Sequence, residues 1–277
     1  MKIQFLGTAA AEGWPAIFCN CNICTEARKK GGKNLRTRTQ SLIDDELLID
    51  FPPDAYCHSI QHGINFAAIH HILITHSHMD HFFPVEIIHR HEHFAHEVTG
   101  KLNIYGNRSV EKALKDAMSI KRFDEFPIDN VLTFHYIEPY REFNIGKYRI
   151  TPVLANHDKN EDCYIYIIKK DDKTMLYGHD TGILLSEDSW NCILKEKYHL
   201  VTLDCTMGEK KIEGYHMGIY DIPEFLQKLA DSSAIDHYTI KVINHFSHNG
   251  NMSHDQLDAY AQKNGYLCTY DGMVVEF

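Results

Sequence analysis

No apolar run in this sequence approaches membrane-spanning length, so a transmembrane helix is not expected. The opening Met1-Lys2-Ile3-Gln4-Phe5-Leu6-Gly7 is too short and too polar for a signal peptide and reads better as a first strand. A cytoplasmic protein with no membrane partner is the resulting expectation. Linkers, repeats and low-complexity tracts are missing as well. Positive charge is scarce: 28 Lys and Arg against 38 Asp and Glu give a net charge of −10, so nonspecific attraction to a nucleic-acid polymer is not expected. Prolines number only eight, and with 44% hydrophobic residues this argues against disorder. A chain of 277 residues can enclose a substantial core as one α/β domain over residues 1–277.

The cysteines show no disulfide pattern. Cys57, Cys163, Cys192, Cys205 and Cys268 stand singly in apolar or half-buried surroundings and read as core thiols. Cys19, Cys21 and Cys24 instead form a tight C-x-C-x-x-C loop. Three thiolates on one loop make a zinc cradle that lacks a fourth ligand; a reactive or redox loop is the alternative.

Histidine is abundant, and its placement is more informative than its number. His76-Ser77-His78-Met79-Asp80-His81 directly follows the apolar run Ile72-Leu73-Ile74-Thr75. Alternation along an extended segment points His76 and His78 the same way, and a turn brings Asp80 and His81 to a second point nearby. Neutral imidazoles with a carboxylate suit Zn²⁺, Mn²⁺ or Fe. The other reading is a chance cluster on a solvated turn, drawn from 20 His, but its position at a strand end favours a metal site.

Along the chain, strands are expected at 2–6, 40–43, 46–50, 102–105, 131–137, 147–154, 162–168, 173–178, 199–204, 238–243 and 272–276. Helices are expected at 53–62, 84–97, 107–118, 186–196, 220–230 and 254–263, the last opening on the capping-box spacing Ser253 to Gln256. In the expected helix 84–97, His89, His93 and His96 share a face and read as surface residues. The basic stretch 26–38 (Arg28, Lys29, Lys30, Lys33, Arg36, Arg38) reads as a solvated loop, with a phosphate-contacting arm as the weaker alternative. Lys169 to Lys173 reads as a hairpin turn. Meanders mixed with helix–strand units point to two sheets with helices outside them.

Three further motifs close expected strands: Ala155-Asn156-His157-Asp158, Tyr177-Gly178-His179-Asp180-Thr181-Gly182, and Asn244-His245-Phe246-Ser247-His248. A lone strand-end His is more often satisfied by hydrogen bonds than by metal. Together, and in this order after H-x-H-x-D-H, they resemble the metallo-β-lactamase superfamily from Phe5-Leu6-Gly7-Thr8 to Asn244-His245. The cysteine loop followed by Arg36-Thr37-Arg38-Thr39-Gln40-Ser41 looks like its PhnP branch of cyclic-phosphate phosphodiesterases, with PqqB and tRNase Z as neighbouring relatives.

The resemblance implies an αββα sandwich of two mixed β-sheets flanked by helices. It also implies one divalent metal on His76, His78 and His157, and a second on Asp80, His81 and His245, with Asp180 bridging both. Zn or Mn is expected there, with Fe as a further option. His248 would complete Cys19, Cys21 and Cys24 as a structural zinc site, and Asp50 would orient the histidine motif. Tyr215-His216-Met217-Gly218 resembles the segment from which phosphodiesterase members protonate the leaving oxygen; the bland reading of His216 is a surface His before a helix. Asp80 and His216 are therefore the candidate catalytic residues.

The sequence departs from the family pattern at Phe82-Phe83-Pro84-Val85, whose aromatics are expected to narrow the pocket, and at His157, which lacks a following glycine. The implied reaction is hydrolysis of a small anionic phosphodiester by water activated between two divalent ions, with His216 as proton donor. A thiolester or lactone hydrolase, a tRNA-processing nuclease and a PqqB-like metal-binding carrier are the competing readings. The nuclease lacks a basic arm here. A homodimer is left open.

Overall fold

The computed structural model describes residues 1–120, 126–211 and 214–277, with the side chain of residue 128 also outside the description. Part of the His- and aromatic-rich stretch 82–130 therefore lies outside the described residues. Two seven-stranded sheets carry the fold. The first holds β1 (Lys2–Gly7), β2 (Gln40–Ile43), β3 (Leu47–Ile49), β4 (His71–Leu73), β5 (Leu102–Gly106), β6 (Leu132–Tyr136) and, beside β1, the returning β14 (Met273–Glu276). The second holds β7 (Phe143–Ile145), β8 (Tyr148–Leu154), β9 (Tyr164–Lys170), β10 (Lys173–Gly178), β11 (Leu200–Asp204), β12 (Ile240–Asn244) and β13 (Leu267–Cys268).

Both sheets are mixed, and in the same way. Antiparallel pairing joins β14, β1, β2 and β3, then parallel pairing joins β3 to β6. In the second sheet β7 to β10 are antiparallel and β10 to β13 parallel. The parallel strands all direct their carboxyl ends to one rim, and so do β3, β8 and β10, from which the metal motifs emerge.

Side-chain alternation explains the layers. In β3, Leu47 and Ile49 enter the core between the sheets, where they meet Tyr164, Tyr166 and Tyr177, while Leu48 faces outward. The outer face of the first sheet packs on α3 (Arg108–Met118) through Val110 and Leu114. That of the second packs on α4 (Glu187–Ile193), α5 (Asp221–Asp231) and α6 (His254–Lys263) through Trp190, Phe225, Leu229 and Leu257. The expected αββα sandwich is what forms, and the Ser253–Gln256 capping box is present in both directions.

Two expectations are corrected. The helix over 84–97 is a 3₁₀ turn, Pro84–Arg90, broken by an extended His91 and followed by a separate turn in which Phe94 N and Ala95 N donate to His91 O. Its three-residue repeat lines Pro84 and Ile87 against the core, and Phe94 is left 40% exposed. His89, His93 and His96 therefore do not share a helical face; His89 and His93 pack their rings around Phe94 instead. The basic stretch is not a loop either. α1 (Asn22–Lys30) is capped by Cys21 Sγ and carries Arg28, Lys29 and Lys30 in its last turn, where they oppose the helix dipole. Arg36 is only 3% exposed and donates to Thr8 Oγ1 and Thr269 O, at 2.7 Å each, so it contacts no surface phosphate. No helix among the described residues is long and apolar enough to cross a membrane.

Candidate metal centre

The rim gathers side chains by an uncommon backbone device. Asp50, Asp180 and His245 each follow a parallel strand and adopt left-handed φ values of 65°, 51° and 59°. Non-glycine residues hold that conformation at a cost, and such strain concentrates at functional sites. Here it turns three strand-end side chains inward over the open rim.

Two donor groups result. His76, His78 and His157 lie within 4.8 Å of one another, as do Asp80, His81, Asp180 and His245. Asp180 stands between them, with Oδ2 3.9 Å from His76 Nε2 and 3.2 Å from His245 Nε2, and against His81 Nε2. His76, His81, Asp180 and His245 are buried, yet His76 Nε2, His81 Nε2, His245 Nε2 and Asp180 Oδ1 have no hydrogen-bond partner, and neither has His157 Nδ1. Buried polar atoms are normally satisfied. Unsatisfied nitrogens of His76, His81 and His245 gathered around the Asp180 carboxylate, all imidazole or carboxylate donors, fit a pair of divalent cations.

The opposite nitrogens are tied down. His81 Nδ1 donates to Asp50 Oδ2 at 2.7 Å, and Asp50 also accepts from Thr75 N and Oγ1. His78 Nε2 donates to Asp158 Oδ2 at 3.2 Å, which leaves Nδ1 facing His157. His245 Nδ1 lies 2.8 Å from Thr206 Oγ1 and 3.3 Å from Asp204 Oδ2. Such contacts fix the tautomer that leaves the inward nitrogen free for metal.

Charge follows the same geometry. Burial opposes protonation of His81, but Asp180, Asp80 and Asp50 outweigh it and hold its pKa well above the usual value. For His245 burial is likewise overcome by Asp180 and Asp204, which bring it to about 10. Burial would raise Asp180, yet His245, His81 and His157 hold it well below the carboxylate range. His76, dominated by burial and the neighbouring His81, is held well below its usual value. Without cations, protons are drawn to the places where metal charge would sit.

His216 sits at the edge of this rim, its Nδ1 3.2 Å from both Asp180 Oδ1 and Asp204 Oδ2 and its ring 5.0 Å from that of His157. Burial works against its charge, but Asp204 and Asp180 raise its pKa. Asp204 itself was not singled out by the sequence reading. Fully buried, it accepts from the backbone N–H groups of Asp180, Thr206 and Met217, and so joins the bridging carboxylate to the His216 loop. Its place at the end of a strand parallel to β10 was the available signal. Phe82 does not narrow the pocket, because it is buried in the outer core of the first sheet.

The cysteine loop comes together with His248. Cys19, Cys21, Cys24 and His248 lie within 4.8 Å of one another, and His248 Nδ1 faces Cys21 Sγ at 3.5 Å. Its Nε2 is 3.5 Å from Glu12. Burial would raise the Cys21 thiol, but the Cys24 amide and His248 pull it down to about 6. Three sulfurs and an imidazole in this proximity fit zinc with no open position. The expected donors thus meet in three groups, while His89, His91, His93 and His96 join no donor group among the described residues.

Comparison with known proteins agrees with this architecture. The model of a family described as Anti-Pycsar protein Apyc1 matches residues 34–257. Ribonuclease Z of Thermoplasma acidophilum is 31% identical over 159 residues, which cover 57% of this chain and 45% of that protein. The chain spans less than half the length of the curated relatives it matches. Among solved structures, a diphosphatase of the PhnP family superimposes with a TM-score of 0.74 at 19% identity, covering 100% of this chain and 97% of that one. Zinc-bound PqqB from Methylobacterium extorquens gives 0.77 at 16% identity, with both chains fully covered at 100%. The fold is the metallo-β-lactamase fold.

Proposed function

The chain belongs to the Anti-Pycsar protein Apyc1 family, and from that premise we propose that it is a metal-dependent phosphodiesterase acting on cyclic or other small phosphodiesters. The observation that carries this reading is the pair of donor groups joined by Asp180, with His216 at their edge. His76, His78 and His157 would hold one divalent ion, Asp80, His81 and His245 the other, and Asp180 both. Ions bound there would supply Lewis acidity, an activated water and neutralisation of the phosphate charge. That allows a chain with a net charge of −10 to take an anionic ester.

The protein's own part is positioning and proton transfer. Asp50, Asp158 and Asp204 orient the imidazoles of His81, His78 and His245. Held through Nδ1 by Asp180 and Asp204, His216 has its Nε2 available to donate a proton to the departing alkoxide. Cys19, Cys21, Cys24 and His248 would hold a structural zinc that fastens α1 beside the rim.

Metal content and hydrolysis of bis(p-nitrophenyl) phosphate, 2′,3′-cyclic and 3′,5′-cyclic nucleotides test the proposal, with wild type beside His216→Ala. Turnover in the wild type, reduced about 10²–10⁴-fold in the variant at unchanged metal content, is expected for loss of a general acid. Full loading without phosphodiester turnover would sink the reading in favour of an ester or thiolester hydrolase or a carrier. An unaffected His216→Ala would remove that residue from the reaction.

A further inference from the structure

The outer face of the first sheet is incompletely covered. A helix over 84–97 would lie across it, but the chain supplies only the 3₁₀ turn Pro84–Arg90. Beneath is a cavity of about 540 Å³, floored by Leu48, Ile72 and Leu102 and walled by Phe51, Phe66 and Ile87. That size suits a small organic ligand.

One group is out of keeping with this apolar lining. Arg90 is half-buried, and its Nε is shielded from solvent with no hydrogen-bond partner. Its guanidinium has one side-chain contact, Nη2 at 3.4 Å from His70 Nδ1. Burial lowers its pKa, and no carboxylate among the described residues restores it. Glu86, the acid in the lining, is engaged at 3.0 Å by His89. A half-buried cation with no counterion among the described residues is costly, and it is the feature that an anionic head group would correct.

We propose that this cavity binds a single-chain monocarboxylate amphiphile, its carboxylate on Arg90 and its hydrocarbon chain laid along the sheet toward Phe51. Arg90 reaches His70, just before β4, whereas Phe51 follows β3; the β3–β4 register pairs Ile49 with Leu73. The two ends are thus about five strand residues apart, roughly 16 Å. An extended chain advancing about 1.2 Å per bond would need about thirteen bonds to fill that span, so a ten-carbon carboxylate fits within it. The tail end abuts the metal rim: Phe51 N donates to His81 O, and Phe83 N to Phe51 O, at 2.7 Å each. The ligand would therefore brace the segment that carries His81. This site goes beyond the phosphodiesterase reading and does not depend on it.

Isothermal titration of the metal-loaded protein with decanoate and with 1-decanol tests the proposal. One saturable decanoate site per chain is expected, with decanol at least tenfold weaker and Arg90→Leu erasing the difference. Ala67→Phe, at an exposed position in the cavity lining, should block both ligands while leaving thermal unfolding unchanged. This second variant keeps the test decisive if Arg90→Leu fails to fold. Absence of saturable decanoate binding, equal affinity for decanol, or wild-type binding by either variant would overturn the proposal. So would a dimer that covers the cavity and is dispersed by Ala67→Glu.

Discussion

His76, His78, His81 and His245 each have one nitrogen committed to a protein oxygen, and that partner decides which nitrogen is left to be a ligand. Asp158 shows this most cleanly, because it is partly exposed and touches His78 from the solvent side while Asn160 N and Nδ2 hold its other oxygen at 2.8 Å. Asp158→Ala should therefore weaken divalent-metal binding about 10–100-fold, the usual effect of losing such a partner, without changing the melting temperature of the metal-free protein. An equal loss of melting temperature would mean that Asp158 is a fold residue instead. His58 is a different case. Its Nδ1 donates to Gln40 Oε1, because Gln40 Nε2 already donates to Asp50 O. Burial lowers its pKa to about 4. The unfolded chain, at about 6.5, binds the proton first, so stability attributable to neutral His58 is present above that value. It is lost as pH falls toward 4, by about 3 kcal/mol in all. Urea unfolding of metal-free protein at pH 7.5 and pH 5, compared with His58→Gln, isolates this contribution. Parallel pH profiles for the two proteins would refute it.

At the scale of elements, the Cys₃His group joins α1 to the turn after β12, the same turn that presents His245. If zinc closes that group, Cys21→Ala removes both a ligand and the helix N-cap. One equivalent of zinc should be lost, and proteolysis should reach residues 11–35 before the sheets; unchanged zinc content would refute the assignment. Little of α1 was legible, since only Cys24 and Ala27 are buried in it and basic residues fill its last turn. Continuous apolar runs marked the long strands well, because both faces of each sheet are buried. β7 and β13, of three and two residues, are too short to carry a period. The expectation for 84–97 failed because Pro84, Ile87 and Ile88 satisfy a helical spacing that is equally met by one 3₁₀ turn. The metal donors were readable because strand ends are where side chains of unlike type cluster. Asp204 escaped because its partners are three backbone N–H groups and the side chains of Thr206, His216 and His245, which only the fold brings together.

For the whole molecule, the decisive arrangement is that the donors come from both sheets. His76, His78, Asp80 and His81 follow β4 in the first, whereas His157, Asp180 and His245 follow β8, β10 and β12 in the second. Buried carboxylates and imidazoles thus face one another across the sandwich, and His76 Nε2, His81 Nε2, His245 Nε2 and Asp180 Oδ1 are left without hydrogen-bond partners. Divalent ions would convert the rim into a staple between the sheets. Because the unfolded chain presents no such site, binding adds directly to folding free energy. A metal at one hundred times its dissociation constant contributes about 2.7 kcal/mol, which for a chain of this size moves the melting temperature up by about 5–10 °C. The rise should depend on metal concentration. It should shrink in His157→Ala and His245→Ala, which take ligands from the second sheet, as much as in His76→Ala, which takes one from the first. Scanning calorimetry at graded Zn²⁺ and Mn²⁺ decides the point. A metal-dependent shift retained by the second-sheet variants would place the ion on the H-x-H-x-D-H segment alone, and the two sheets would then be held by their shared apolar core without help from the site.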